Sequence, residues 1–582
     1  MNKNRSLIKY QLIVIFFLSI ISFITGCVAL AKYYHAINEV RSFFDIAYTS
    51  MQMFIVQLGD MPGPKSLEFE FARWVSPSLA AYAFLLASIS IFYEQINAFR
   101  IRFAKNHVII CGLGEKSLML SKKFIEQKKN YKLIIVEVNP ENEHIDTMKS
   151  LGVCVVIGNA NDENTLRQIG AEKADHLFVL CGNDGVNAEI SVLANDIKKD
   201  GDDLKCYIHI SDNKLCNFFQ INGLSKSSSK SIKVDYFNFF HIGAYSMMRK
   251  FPFNYSSDGK NGALIVGLGK IGENILIDLV YRWKTRENPF ADEKFKIVVV
   301  DVECGDKLEM IKAKNPLIEK ICEIIPVQVN IRSAQFYKAA FIYSGDKTCF
   351  INKAYVCLNS DSDSLLAALT LDCHLEKYGV EIAVCMSSNN GLATMFKKSK
   401  ICGKNYERIK IMGLLDEVCV PDIVIGGNYE RLARSIHEEY CKKEKAKGHT
   451  VETNPMVIEW DGLPEEYKDS NRRQARSSFD KLEKAGYNVT IMTDLVADKF
   501  EFHKDDIEIM AKYEHQIWME EKLKKGWRYG PVRDNDKKIH PSLKAYDKLD
   551  EEEKQKDRDT VTDLPKHLAM IGLQIYKETI IA

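Results

Sequence analysis

A transmembrane α-helical hairpin, two α/β domains of dinucleotide-binding type and a mainly α-helical C-terminal module are the fold class this sequence predicts. Three observations carry that expectation: two long uncharged apolar runs near the start, two glycine-rich turns that each follow an apolar strand-like run, and a stretch beyond residue 450 that repeats itself. A chain of 582 residues with 46% hydrophobic content can bury several cores, and such a length fits roughly three or four domains.

The first apolar run, Gln11 to Ala31, carries no charge and is long enough to cross a hydrocarbon core of about 30 Å as a helix. The second, Val75 to Tyr93, is also uncharged. Lys3, Arg5 and Lys9 precede the first and Arg100, Arg102 and Lys105 follow the second. The positive-inside rule then predicts a multi-pass protein of the inner (plasma) membrane with both termini cytoplasmic and the loop from about Lys32 to Trp74 outside. Ile24-Thr25-Gly26-Cys27 also reads as a lipoprotein processing box and Ala29-Leu30-Ala31 as a signal-peptidase site. Either would export everything downstream, an outcome disfavoured by the many scattered cysteines.

Those cysteines number fifteen, none in C-x-x-C spacing, and several sit in apolar runs such as Val153-Cys154-Val155 and Ala383-Val384-Cys385. The pattern predicts reduced core thiols and no metal site. The formal net charge of +1 supplies no global field for nucleic acid, and no nucleic-acid partner is expected.

Within the outer loop, Ile46 to Val56 is apolar but too short to span, and is followed by Gln57, Leu58, Gly59 and Asp60 and the breaker Met61-Pro62-Gly63-Pro64. A short re-entrant helix followed by irregular backbone is the layout of a pore loop, because non-helical backbone at membrane depth must line water or protein. Against the potassium-filter pattern T-V-G-Y-G-D, Ile55 to Asp60 keeps Val56, Gly59 and Asp60 but lacks the first glycine and the tyrosine. Potassium selectivity is therefore not inferred, and an amphipathic helix lying on the outer surface is the alternative.

His107 to Cys111 is a buried-strand run opening into Gly112-Leu113-Gly114-Glu115-Lys116-Ser117, and the next strand ends at Glu137. In this arrangement backbone N–H groups and a helix N-terminus cradle a pyrophosphate while the acidic residue takes ribose hydroxyls. Gly262 to Val266 leads in the same way into Gly267-Leu268-Gly269-Lys270-Ile271-Gly272, and the following strand ends at Asp301. That acid comes later than usual, which predicts a longer helix or loop around Trp283 to Asp292. Gly112, Gly114, Ser117, Glu137, Asn159, Gly267, Gly269, Gly272 and Asp301 are thus the candidate cofactor-binding residues, for NAD(H) or a related nucleotide. No His or Lys acid–base pair on a separate substrate domain follows either copy, so hydride-transfer catalysis is not expected, and no catalytic residue is assigned.

The course after the first turn, from Val153-Cys154-Val155-Val156-Ile157-Gly158-Asn159 through Leu166 and Gly170-Ala171-Glu172-Lys173-Ala174-Asp175 to Val179-Leu180-Cys181-Gly182-Asn183-Asp184 and Asn187, resembles the regulator-of-potassium-conductance (RCK, TrkA-N type) domain. That family usually has Gly-Asp where this chain has Gly158-Asn159, so the usual carboxylate is missing. The second copy follows the outline less closely, with Ala354 to Leu358 leading to Asn359-Ser360-Asp361-Ser362-Asp363. The resemblance implies two α/β Rossmann-like (RCK/TrkA-N) domains, and a homo-oligomer, a tetramer, whose eight lobes form a gating ring coupled to the membrane helices through Ile96 to Lys105. Empty folds used only for assembly are the bland alternative.

Lys442 to Gly448 reads as a charged, solvated linker. Beyond it, Trp460 to Arg472 lies without gaps on Tyr546 to Arg558, six of thirteen positions being identical, and a helix precedes each, with His437 in one and His515 in the other. The module is therefore expected to be a pseudo-twofold pair of helical hairpins with a cleft between its halves. Glu514 to Leu523, Gly526-Trp527-Arg528-Tyr529-Gly530-Pro531-Val532-Arg533-Asp534, His540-Pro541, Tyr546-Asp547 and Asp557-Arg558-Asp559 resemble the ryanodine receptor (RyR) repeat over roughly 130 residues. Aromatic faces beside cationic forks suit a base and a phosphate. Trp460, Arg472, His515, Trp518, Trp527, Tyr529, Arg533, His540, Tyr546 and Arg558 are the candidate ligand-binding residues, for an ADP-ribose-like nucleotide, with core packing and helix ion pairs as the bland reading.

The expected domains are 1–105 (membrane helices), 106–257 and 258–428 (Rossmann-like) and 429–582 (helical linker and RyR module). Together they imply a ligand-gated membrane channel or membrane effector that senses nucleotides, with lipid as a second partner and, by the architecture, a role in bacterial stress or antiphage signalling. A non-conducting membrane-anchored regulator of potassium or other ion transport, binding NAD(H) or ATP, is the second hypothesis.

Overall fold

The computed structural model describes residues 2–57, 61, 65–102, 104–127, 131–197, 204–222, 232–255, 261–285, 294–345, 347–398, 406–534 and 536–577, with backbone alone for 2–10, 12, 89–100 and 102. Two compact units emerge: 1–114, 130–178 and 193–204 form one, and 115–129, 179–192 and 205–582 the other.

The first unit opens with three helices, α1 (Asn2–Ala36), α2 (Phe43–Gln52) and α3 (Leu67–Arg102). Within α1, Ile13–Ala36 has a mean hydropathy of 2.7 and is the one helix among the described residues long and apolar enough to cross a membrane. The run Val75 to Tyr93 is helical, as part of α3, and from residue 89 onward it is described by its backbone alone. Of the two helices expected to form a transmembrane hairpin, only the first has the length and composition to cross a membrane among the described residues. Ser76 is a packing residue: its hydroxyl and that of Ser22 are 2.8 Å apart and buried, the small polar contact that lets two helices approach. Ala29, Leu30, Met53, Phe69 and Ala72 form a cluster beside it. The expected short helix in the loop is α2, started by a capping box between Ser42 and Asp45 and continued by one 3-10 turn, Met53–Ile55. Gln57 is described and exposed; Leu58, Gly59 and Asp60 lie outside the described residues.

Two six-stranded sheets follow. The first is ordered β3-β2-β1-β4-β5-β6, from β1 (Val108–Cys111), β2 (Leu133–Glu137), β3 (Cys154–Ile157), β4 (His176–Val179), β5 (Leu204–His209) and β6 (Ile232–Phe237). The second is ordered β12-β11-β10-β7-β8-β9, from β7 (Gly262–Val266), β8 (Phe295–Asp301), β9 (Cys322–Gln328), β10 (Ile351–Val356), β11 (Glu381–Met386) and β12 (Ile409–Gly413). Its neighbours are all parallel. Both orders are the doubly wound 3-2-1-4-5-6 pattern, in which ligands bind beyond the carboxyl ends of the strands where the order reverses. Strands such as Ile297, Val298, Val299 and Val300 are buried on both faces, which is why they read as unbroken apolar runs. The helix after β7, Lys270–Lys284, has 15 residues against 12 for α4 (Glu115–Glu126) after β1, which accounts for part of the late acid at Asp301. The helix Phe239–Lys250 places Ala244, Met247 and Met248 in the core of the second sheet.

The C-terminal module consists of two helical hairpins, Pro421–Ala446 with Glu465–Lys484 and Lys504–Lys524 with Glu551–Thr562. An antiparallel pair, β13 (Tyr487–Ile491) and β16 (Leu573–Lys577), ties them together. A short pair, β14 (Arg528–Tyr529) and β15 (Ile539–His540), lies in the second half. Lys442 to Ala446 is not a linker: it is the last turn of the first helix, which ends before Gly448 at φ 86°. Lys and Glu are good helix formers, and the Lys443–Glu439 pair four residues apart at 2.9 Å supports the turn.

The sharpest steric requirement falls at Gly272, where a Cβ would stand 2.1 Å from the Gly267 carbonyl oxygen. Gly272→Ala should lower the thermal unfolding temperature of the full chain, at a cost of about 1–3 kcal/mol; an unchanged melt by circular dichroism would refute this packing.

Candidate functional site

At the end of β1, Gly112 takes φ 86°, a left-handed backbone that favours glycine. Its N–H donates to the Val136 carbonyl at 2.8 Å. The next N–H, of Leu113, donates to Glu137 Oε2 at 2.7 Å, and the Asn139 N–H to Oε1 at 2.8 Å. Glu137 is buried, and its carboxylate is the acceptor that closes the turn. Gly114 is exposed, and a Cβ there would meet nothing within 4 Å, so the space above the turn is open to a ligand. Asn159 is exposed at the end of β3, its side-chain oxygen accepting from the Asn161 N–H at 3.0 Å.

The second turn repeats the geometry. Gly267 has φ 94°, and a Cβ there would stand 2.6 Å from the Cys357 carbonyl oxygen. The Leu268 N–H donates to Asp301 Oδ2 at 2.7 Å and the Glu303 N–H to Oδ1 at 2.9 Å. One difference matters: Lys307 Nζ is 2.7 Å from Asp301 Oδ1. Burial alone would raise the Asp301 pKa, but Lys307 and the N–H groups of Glu303 and Leu268 outweigh it and hold the carboxyl below its ordinary value. Glu137 has no such cation among the described residues. Gly269 caps the Lys270–Lys284 helix, and Gly272 makes the close approach to Gly267. At the corresponding place in the first copy stands Ser117, buried with its hydroxyl lacking a hydrogen-bond partner among the described residues. The loops after β4 and β10 also match. Asp184 accepts from the Ser211 N–H and hydroxyl, both at 2.9 Å, and Asp361 accepts from those of Ser387 at 2.7 and 2.6 Å.

A basic cluster went unread in the sequence. Lys116 Nζ lies 2.7 Å from His209 Nε2, and the ammonium groups of Lys116 and Lys270 each stand 5.2 Å from the centre of the Phe240 ring. Burial, then Lys116, pushes His209 down to about 3, so it is neutral and accepts from Lys116. Lys116 and His209 are 93 positions apart, and no local pattern announces the contact.

In the C-terminal module the ten predicted residues separate into two groups. Arg472 is held by Glu430, with Nε to Oε2 at 2.6 Å, and by Glu465; Arg558 is held by Glu508 and Glu551. Trp460 and Tyr546 are buried. His515 is buried, its Nε2 donating to the Lys544 carbonyl at 2.9 Å and its Nδ1 3.1 Å from Asp557. Burial works against its protonation, but Asp557 and that carbonyl raise its pKa overall. These five side chains are engaged inside the module. Trp518, Trp527 and His540 are brought together at the surface, with His540 edge-on to Trp518 at 4.9 Å and 6.1 Å from Trp527, and Tyr529 and Arg533 are exposed nearby in sequence. Glu430 and Glu508, 78 residues apart as His437 and His515 are, were missed, although extending the repeat backwards would have found them.

A small cavity, with about 10 Å³ open to the centre of a water molecule, is lined among others by Asp235, His241, Gly427, Asn428 and Arg431, room for about one water. Gly427 interrupts the helix Pro421–Ala446 at φ 50°, ψ −132°, and a Cβ there would come within 2.8 Å of Asp235 Oδ2. Arg431 is buried; it donates to the Ile571 carbonyl and to Asn428 Oδ1, but its Nε has no partner among the described residues.

The RyR domain family model matches residues 501–577, and the TrkA-N domain model residues 108–229. An uncharacterized protein of Methanothermus fervidus is 29% identical over 98 residues, a stretch that spans 17% of this chain and only 15% of the relative. Among solved structures, GsuK bound to ADP is 15% identical with a TM-score of 0.38, covering 72% of this chain and 98% of that one. The GsuK channel bound to NAD is 12% identical at 0.39, covering 72% and 84%. The TrkA-N domain of the inner membrane protein ybaL from Escherichia coli is 17% identical at 0.21, covering 26% and 98%. The fold assignment rests on the chain's own strand order and motifs.

Gly114→Ala should fold normally yet weaken nucleotide binding, because the new methyl enters the space a pyrophosphate needs; unaltered affinity by calorimetry on the full chain would exclude this turn as the site. Burial raises Asp235 from an ordinary 3.8 to about 6. Between those values the folded chain keeps a proton that the unfolded chain releases, so stability falls as pH rises through that window, and the cost is complete above it. Asp235→Asn should therefore raise the unfolding temperature at pH 8 and leave it unchanged below pH 4. A gain of equal size at both would show that the effect is not ionisation.

Proposed function

We propose that this chain is a membrane-anchored nucleotide sensor that controls ion movement, working as a homo-oligomer, a tetramer, in the inner membrane with both termini in the cytoplasm. The observation that carries the reading is the duplicated turn: on one chain, Leu113 N–H on Glu137 and Leu268 N–H on Asp301, both at 2.7 Å, with an apolar helix of membrane-crossing length ahead of them. A turn closed by a carboxylate, with an open glycine beside it, suits a ligand that brings phosphate to backbone N–H groups and hydroxyls to the acid.

NAD(H) or a related nucleotide is the ligand class. The first turn is the preferred site, because Lys307 pairs with Asp301 and Glu137 has no such cation among the described residues. The exposed Phe16, Phe17, Ile20, Ile21 and Ile24 of α1, and Trp74, Phe84 and Leu85 of α3, supply the surface for lipid, so both helices are read as spanning. Ligand binding is coupled to these helices through differential occupancy of two conformations, with binding and no turnover. The RyR module is a second nucleotide-binding element, through Trp518, Trp527, Tyr529, Arg533 and His540. Stress or antiviral signalling is the proposed setting.

The stretch Ile55 to Asp60 lacks the first filter glycine and the tyrosine, and this favours a second reading, a non-conducting regulator of a separate transporter. Ion flux from vesicles reconstituted with the full chain separates the two. Release that changes severalfold on adding NAD+, NADH or ADP is expected. Vesicles that stay tight under every nucleotide, with the protein still embedded, would replace the first reading by the second.

A further inference from the structure

We infer that the C-terminal module carries one site for an aromatic, phosphate-bearing ligand, on its C-terminal half, and that Lys522 is the residue that distinguishes this face from its counterpart on the other half. The inference rests on the nucleotide-sensing reading above and narrows it to one of two equivalent faces.

The two halves correspond residue by residue. Glu430, His437, Tyr440, Glu444, Gly448 and His449 stand 78 positions before Glu508, His515, Trp518, Lys522, Gly526 and Trp527. The correspondence is physical as well: Glu430 and Glu508 each hold the arginine of their own half, and His437 and His515 each bond a backbone carbonyl, those of Ile458 and Lys544. Both glycines end their helix at positive φ, 86° and 80°. Further on the spacing becomes 86, and Asn454-Pro455 matches His540-Pro541. Asn454 Oδ1 accepts from the Met456 N–H at 3.1 Å, and His540 Nδ1 from the Ser542 N–H at 3.2 Å.

The same face thus has opposite chemistry in the two halves. In the N-terminal half Glu444 accepts from Lys447 at 2.8 Å and from Asn454 at 3.4 Å, and lies 3.7 Å from His449. Asn454 also donates to the Tyr440 hydroxyl at 2.9 Å. This face carries a carboxylate where the other half has Lys522, and its polar groups satisfy one another. In the C-terminal half the ammonium of Lys522 stands 4.6 Å from the Trp527 ring centre and 5.9 Å from that of Trp518, and it forms no ion pair among the described residues.

His540 stands between the two indoles. Burial, then Arg533 and Lys522, lower its pKa, and with Nδ1 accepting from Ser542, its Nε2–H is a donor. The additional residues between Trp527 and His540 carry Tyr529 and Arg533, with no equivalents in the shorter N-terminal connection. Indole faces beside a lysine and an arginine take a base by stacking and a phosphate by charge-assisted hydrogen bonds; a carboxylate at the position of Lys522 repels that phosphate.

Photolabelling of the full chain with 8-azido-ATP, followed by mapping of the labelled peptides, tests this. Label is expected within 513–544, displaced by ADP, reduced about tenfold by Lys522→Glu, restored by Lys522→Arg and unaffected by Glu444→Ala. Label within 437–460, or equal label in Lys522→Glu, would overturn the inference, and the wild-type map decides between the halves even if a variant fails to fold. Label confined to 108–117 and 262–272 would overturn it while leaving nucleotide sensing at the turns in place. Label nowhere would overturn both.

Discussion

A carboxylate at the end of the second strand, accepting from the backbone N–H between two glycines, is the constraint on which both nucleotide-type domains depend. A tight turn at the mouth of a parallel sheet leaves N–H groups with no strand partner, and a buried N–H without an acceptor is costly. Glu137 and Asp301 each supply two acceptors, one to the turn and one to the residue two positions beyond the acid itself. Each acid thereby ties the glycine turn to the neighbouring strand. Anything that binds above the turn acts on a hydrogen-bond network that already spans two strands, and this gives ligand occupancy a mechanical route into the sheet. In the second domain Lys307 shares that acid, so the duplicated folds are not equivalent as sites.

The C-terminal module uses a comparable device for another purpose. Each half is pinned by an arginine lying between a glutamate of the preceding hairpin helix and one at the start of its own helix. Removing one partner of such a part-buried pair strands the other charge. This explains why Arg472 and Arg558, attractive on paper as phosphate forks, are committed to holding the helices together. The surface left for a ligand is then smaller than the residue types suggest, and it lies on one half.

Much of this was legible in the sequence because it is local. Val108 to Cys111 and Gly262 to Val266 are short apolar runs each followed by a glycine turn, and the acids at Glu137 and Asp301 end the next apolar runs. The self-match between Trp460 to Arg472 and Tyr546 to Arg558 exposed the two hairpins. What could not be read is non-local or depends on packing. The partner of Arg472 is 42 positions upstream and that of Arg558 is 50. Lys442 to Ala446 looked like solvated linker because it is charged, yet charge spaced to pair along a helix stabilises one. Val75 to Tyr93 reads only as an uncharged run, and nothing local marks Ser76 as a buried contact to Ser22, 54 positions away.

Hydrogen–deuterium exchange on the full chain in lipid, with and without NAD+, tests the coupling of ligand to turn most directly. Slowed exchange is expected in peptides covering 108–117 and 133–143, where the Leu113 and Asn139 amides reside. Measurable NAD+ binding with unaltered exchange in both peptides would contradict it.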